Sequence, residues 1–142
     1  MFLYDVNFLF AMLTVDHEHH RAARAWRGSL SDKSWASCEI SVSGFIRLSG
    51  NPHVTKAPKK PAEAWHLLKA NMGTPRHRWL EAPVPGSKGF EEILLRCESH
   101  RQVTDAFLIH LAIVNRAVLA TFDHRLKHLS PDPDAVEVIP LF

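Results

Sequence analysis

Apolar positions in this chain follow two rhythms, and the switches between them mark its elements. Phe2, Leu3 and Tyr4 form an apolar run too short for a helix; Asp5 and Asn7 break it, and Phe8, Leu9, Phe10, Met12 and Leu13 then resume an apolar face. This predicts a buried strand ending at Asp5 and a helix after it, with Asn7 as the N-cap and Asp5 as a turn residue. Asp16 to Trp26 (DHEHHRAARAW), with an early acid, late arginines and Gly28 beyond, predicts a second helix. Ser34 to Cys38 reads as a strand and Glu39 to Leu48 as a helix stopped by Gly50-Asn51-Pro52. The Pro- and Lys-rich segment His53 to Pro61 is a loop before a helix over Ala62 to Met72, which ends at Gly73. Arg76, His77 and Arg78 read as loop charges, and Pro83 to Gly89 as a turn region. Helical patterns cover Phe90 to Cys97 and Val103 to Val114. They are followed by a β-branched strand at Val118 to Thr121, a short helix at His124 to Leu129 and a strand at Val136 to Ile139.

Short apolar strands alternating with helices predict an α/β protein, a three-layer α/β/α sandwich around a central parallel sheet. The length of 142 residues, with 46% hydrophobic positions, suits one domain with one such sheet. A net charge of +2 is too small to argue for nucleic acid, so polyanion affinity rests on local patches. Cys38 and Cys97 fit neither a zinc-finger spacing nor a disulfide framework, which suits a reducing cytoplasm. No apolar run reaches membrane-span length and no secretory leader is evident, so a cytoplasmic, membrane-free protein is expected.

Parallel sheets of this kind bind ligands beyond the carboxyl ends of their strands, where strand order reverses. Asp5 and Asp123 fall at strand carboxyl ends, and Asp105 falls in the first turn of the helix feeding the strand that Asp123 terminates. Each has a local explanation, Asp105 as a helix N-terminal charge and Asp123 as a cap. Together, with no evident cationic mate, they make an anionic cluster that is stable mainly around a divalent cation, and all-oxygen ligands favour Mg²⁺ or Mn²⁺. Such an ion leaves positions for phosphate oxygens and lowers the pKa of a water, so the natural chemistry is phosphodiester hydrolysis. Lys56, Lys59 and Lys60, with Arg76 and Arg78, are candidate phosphate contacts. His17, His19 and His20 have only a loose metal spacing and are read as the surface of a helix start.

The order of these pieces carries a resemblance. Leu3-Tyr4-Asp5-Val6-Asn7, Asp16 through His20 with Ala22-Ala23 and Trp26, and Trp35-Ala36-Ser37-Cys38 come first. Gly44-Phe45-Ile46-Arg47-Leu48 with Asn51-Pro52, Thr104-Asp105-Ala106-Phe107-Leu108, and Leu119-Ala120-Thr121-Phe122-Asp123 with Arg125-Leu126 complete the series. The succession resembles the PIN-domain toxins of the VapC type over nearly the whole chain. The resemblance implies the PIN fold, Mg²⁺-dependent endoribonuclease activity on RNA, a cognate antitoxin that reaches the active site, and a homodimer. Matched position by position, Asp5, Asp105 and Asp123 are the first, third and fourth acids, and Thr121 is the hydroxyl neighbour of the last. Related chains often carry a Glu where this one has Val42; Glu39, about one helical turn earlier, is the candidate replacement or simply a helix-start charge. Arg47 joins the candidate phosphate contacts. A different class of answer is a PIN-fold module that binds RNA or protein without cutting. A phosphoryl-transfer hydrolase would want an acid at Asn7, and a receiver-like domain a late lysine after a strand.

Overall fold

The computed structural model describes residues 1–82 and 89–142; most of the turn region expected at Pro83 to Gly89 lies outside them. Five parallel strands, β1 (Phe2–Tyr4), β2 (Trp35–Ser37), β3 (His77–Trp79), β4 (Val118–Thr121) and β5 (Val136–Val138), form one sheet in the order β3-β2-β1-β4-β5. Among the described residues the helices are α1 (Val6–Leu13), α2 (His20–Ser29), α3 (Glu39–Ser49), α4 (Pro61–Met72), α5 (Phe90–Arg96), α6 (Val103–Val114) and α7 (Leu126–Leu129). This is the expected α/β/α sandwich.

Its three layers follow from the two-residue period of the strands. Leu3, Ala36 and Leu119 point to one face, where they pack with Ile93 of α5, Leu108, Ile109 and Ala112 of α6, and Leu126 of α7. Tyr4, Trp35 and Ala120 point to the other, against Phe8 and Leu9 of α1, Trp26 of α2, Phe45 of α3 and Leu68 of α4. A strand buried on both faces has no polar side, which is why β1 reads as an unbroken apolar run.

Four of the predicted features are corrected. The N-cap of α1 is Asp5, whose side chain accepts the Phe8 N–H, and Asn7 lies inside the helix. The helix expected from Asp16 starts at His20, because the Asp16 carboxylate accepts the Lys56 N–H at 3.0 Å and so ties down the 53–60 loop instead of capping α2. Gly28 sits within α2 rather than beyond it. Finally, Arg76-His77-Arg78 is not loop throughout: His77 pairs with Trp35 and Arg78 with Ala36 on the sheet edge. A three-residue polar edge strand carries almost no alternation for a sequence reading to find.

Gly44 sets the spacing of α1 and α3. A Cβ there would stand 2.5 Å from Val6 Cγ1, and Val6 is β-branched and follows directly on Asp5. Gly44→Ala is therefore expected to lower the unfolding free energy by roughly 1–3 kcal/mol through overpacking, read as a lower urea midpoint at unchanged m-value.

Candidate functional site

Strands β2 and β3 follow β1 on one side and β4 and β5 lie on the other, so strand order reverses between β1 and β4. A crevice opens beyond the carboxyl ends at such a point. Asp5 is the first residue after β1, and Thr121 and Asp123 are the last residue of β4 and the second beyond it. Asp105 arrives from the third position of α6. The structure brings the three acids to one cavity of about 310 Å³, lined also by Asn7, Arg47, Arg101, Thr104 and Arg125.

Asp5 is the buried member, 5% exposed. Its Oδ1 accepts the Phe8 N–H at 2.5 Å and its Oδ2 accepts the Thr121 hydroxyl. Thr121 in turn accepts the Asp123 N–H at 3.0 Å, so the hydroxyl's direction is set and it can only donate toward Asp5. These bonds favour the ionised form, yet burial outweighs them and, with the charges of Asp105 and Asp123, raises the Asp5 carboxyl to about 6. Burial and the Asp123 charge likewise raise Asp105 to about 6, against a weaker opposing pull from Arg125. Two carboxyls whose ionisation is held back by burial and by their negative neighbours are the electrostatic signature of a site that a cation would complete.

Asp123 departs from the expectation of three acids lacking a cationic mate. Arg125 Nε and Nη2 grip both its carboxylate oxygens, with Nη2 to Oδ2 at 2.7 Å, and hold it below the usual carboxylate range. Arg125 is only two residues away and is fully visible in the sequence; pairing across a turn, rather than along a helix, is what a reading of helical faces passes over. Among the described residues no group of three or more His, Cys, Asp or Glu is arranged to hold a metal ion. The donor set nevertheless fits a hard dication that uses few protein ligands and completes its shell with water and phosphate oxygens: Asp5 and Asp105 supply carboxylate oxygen, with Asp123 beside them.

The other predicted residues are distributed as follows. Arg47 lines the acid cavity and continues into an adjoining groove with Val6, Glu39, Val42, Thr104 and the exposed Trp79. Glu39 is exposed in that groove and does not line the acid cavity. Lys56, Lys59 and Lys60 line neither, although the Lys56 backbone ties their loop to the turn at Asp16. Arg76 and Arg78 lie at a different cavity, beside the beginnings of β2 and β3.

Residues the sequence reading did not assign to the site are Arg101, Thr104 and Arg125, and on a second rim His17, Glu18, His19 and His124. His17 and His19 reach the rim because they lie in the turns before α2, not on its first turn. His19 packs on Phe122 at 5.1 Å between ring centroids, which holds that turn against the end of β4. Their crowding in HEHH was the available signal.

The PIN domain family model matches residues 2–130. The chain is 36% identical over 126 residues to Ribonuclease VapC44 of Mycobacterium tuberculosis, covering 87% of each protein. To Ribonuclease VapC39 of the same organism it is 36% identical over 140 residues, covering 96% of this chain and 98% of that one. In structure it is similar to VapBC2 of Rickettsia felis, solved bound to a DNA fragment from its promoter. The TM-score is 0.68 at 15% identity, over 96% of this chain and 97% of that one, a likeness of fold. A PIN model spanning nearly all of β1 to β4, and VapC relatives aligned almost end to end, agree with the switch-point acids: the chain belongs to the PIN-domain family, in its VapC branch.

Proposed function

We propose that this protein is a divalent-metal-dependent endoribonuclease, the toxin of a toxin–antitoxin pair. The observation that carries the reading is the pairing of Asp5 and Asp105 in one cavity, both raised to about 6 and neither in an ion pair among the described residues. The relatives named ribonuclease VapC add the substrate class. Mg²⁺ or Mn²⁺ would be held by Asp5 and Asp105, with Asp123 alongside, and when bound supplies Lewis-acid polarisation of the phosphate and a water of lowered pKa.

The chain's own residues do the rest. Thr121 donates to Asp5 and so fixes which of its lone pairs remain free to face the cavity. Arg125 keeps Asp123 ionised and oriented. Arg47 and Arg101 stand in the same cavity as cationic contacts for the scissile phosphate and its neighbour. The groove running on through Arg47 and Thr104 to Trp79 gives the RNA strand a path, with the half-exposed indole as a surface on which a base can stack. The Lys56 to Lys60 loop extends the positive field around this edge.

An antitoxin partner is part of the same proposal, supported by the fold likeness to the toxin–antitoxin complex of Rickettsia felis. A homodimer and a cytoplasmic site of action belong to it as well. No described helix is long and apolar enough to cross a membrane.

The reading is tested by incubating the purified chain with single-stranded RNA with Mn²⁺ or with EDTA. Cleavage that needs the ion and leaves 5′-phosphate ends supports it. Equal, negligible cleavage in both would favour a PIN-fold module that binds without cutting, which Val42 and the Arg125 grip on Asp123 would then explain. Because Glu39 stands outside the acid cavity, Glu39→Gln is expected to reduce cleavage by less than about tenfold, under 1.4 kcal/mol. A loss as large as that of Asp5→Asn would instead make Glu39 a full member of the acid set.

A further inference from the structure

A second cavity lies between α1, α2 and the starts of β2 and β3, and it is built for negative charge. It has a volume of about 710 Å³ and shares no lining residue with the acid cavity. Four arginines surround it: Arg24 and Arg27 from α2, Arg76 from just before β3, and Arg78 from within it. Among the described residues none of the four pairs with a carboxylate. Three are instead pinned by backbone carbonyls. Arg27 donates to Leu30 and Lys33, Arg76 to Asp32, and Arg78 to Pro75 and His77. A guanidinium has five N–H donors, so each keeps others free while its position is set.

The second observation is Tyr4, which also lines this cavity. Its ring is fixed by stacking on Trp35 at 5.1 Å and by edge contacts with Phe8 and Trp26. The residue is 1% exposed, yet its hydroxyl has no hydrogen-bond partner. A buried donor left unmade costs on the order of 1–3 kcal/mol, and phenylalanine would fill the same aromatic cluster without that cost. The hydroxyl sits within the field of Arg27, where an acceptor brought by an anion would satisfy it. Leu9, Met12 and Leu13 of α1 supply an apolar wall.

We infer that this cavity, between Tyr4, α1, α2 and the start of β3, binds a small phosphorylated organic molecule. Four unmatched guanidinium groups call for more than one negative charge, which a phosphate monoester carries and a single carboxylate does not. The volume falls in the range of small-ligand pockets, and the apolar wall suits an organic body attached to the phosphate. The site is independent of the nuclease reading, since the two cavities share no lining residue.

The test is a calorimetric titration of the full chain, in EDTA, with adenosine 5′-monophosphate and with inorganic pyrophosphate as probes, and with a short single-stranded RNA bearing no terminal phosphate. Saturable binding of adenosine 5′-monophosphate, weakened about tenfold or more by Tyr4→Phe and abolished by Arg27→Gln with Arg76→Gln, is the expected result. Tyr4→Phe should melt no lower than the parent, so a loss of affinity cannot be charged to misfolding. Binding of pyrophosphate alone would overturn the organic body. No saturable binding of either probe, or binding unchanged in both variants, would overturn the site. Tighter binding of the RNA, lost in the same variants, would overturn the small-molecule assignment in favour of substrate backbone.

Discussion

Asp5→Asn and Asp105→Asn are each expected to reduce RNA cleavage roughly a hundredfold or more, equivalent to about 3 kcal/mol of transition-state stabilisation, while leaving the fold in place. The first half of this expectation follows from position. Asp5 and Asp105 face the same small cavity at the β1/β4 switch point, and among the described residues neither is in an ion pair. Asparagine keeps the shape and one oxygen but removes the charge that would hold a hard dication. The second half follows from local structure. Asn is as good an N-cap as Asp, so the bond from the Phe8 N–H that starts α1 survives in Asp5→Asn. The change also relieves the cost of an ionised carboxyl buried at 5% exposure. Asp5→Ala is the poorer variant, because it loses the cap as well and confounds activity with stability. Cleavage rates of the two Asn variants, measured beside their thermal midpoints, check both halves. Parent-like cleavage in either variant would end the two-carboxylate account.

Without metal, the contribution of Asp5 to stability should fall as pH rises from about 4 to 6, and Mg²⁺ should reverse the fall. The direction comes from linkage. The folded chain holds the Asp5 proton up to about 6, whereas the unfolded chain releases it near the ordinary aspartate value of 3.8. Between those values the native state binds more protons, so unfolding free energy declines with rising pH and levels off above 6. For Asp5 the decline is on the order of 3 kcal/mol. Asp105 adds in the same direction but is partly exposed and contributes less. Asp123 works oppositely: the Arg125 grip lowers its value, so its contribution is present at neutral pH and lost on acidification. The clean measurement is therefore the difference between parent and Asp5→Asn across the pH range, in EDTA and in millimolar Mg²⁺. The parent should lose ground to the variant as pH rises in EDTA, and regain it in Mg²⁺ at neutral pH. The Mg²⁺ effect should shrink below pH 6, where protons compete for the same oxygens. Two parallel curves would mean that Asp5 does not titrate in this window.

Most helices were legible in the sequence because their apolar faces repeat over several turns. Val103–Val114 and Val118–Thr121 fall where the pattern put them, and the helix after Cys38 differs only at its end. Several of the failures share one cause: a polar side chain whose partner is remote. Asp16 looked like a helix cap but bonds to Lys56, forty residues on. Arg76 to Arg78 looked like solvated loop but pair with β2. His17 and His19 looked like a helix surface but stand on the rim beside the acids.

By itself the sequence determined the alternation of strand and helix, the parallel sheet, and the arrival of Asp5, Asp105 and Asp123 at one edge. Each of these depends on short-range periodicity and on the rule that every parallel strand points the same way. Only the tertiary structure decided which charges remain unmatched. Arg125 turns back onto Asp123, Glu39 stays in the adjoining groove, and four arginines from α2 and from the start of β3 line one cavity with Tyr4. Electrostatic partnership is set by distance through space and by burial, and neither is written in the spacing of residues along the chain.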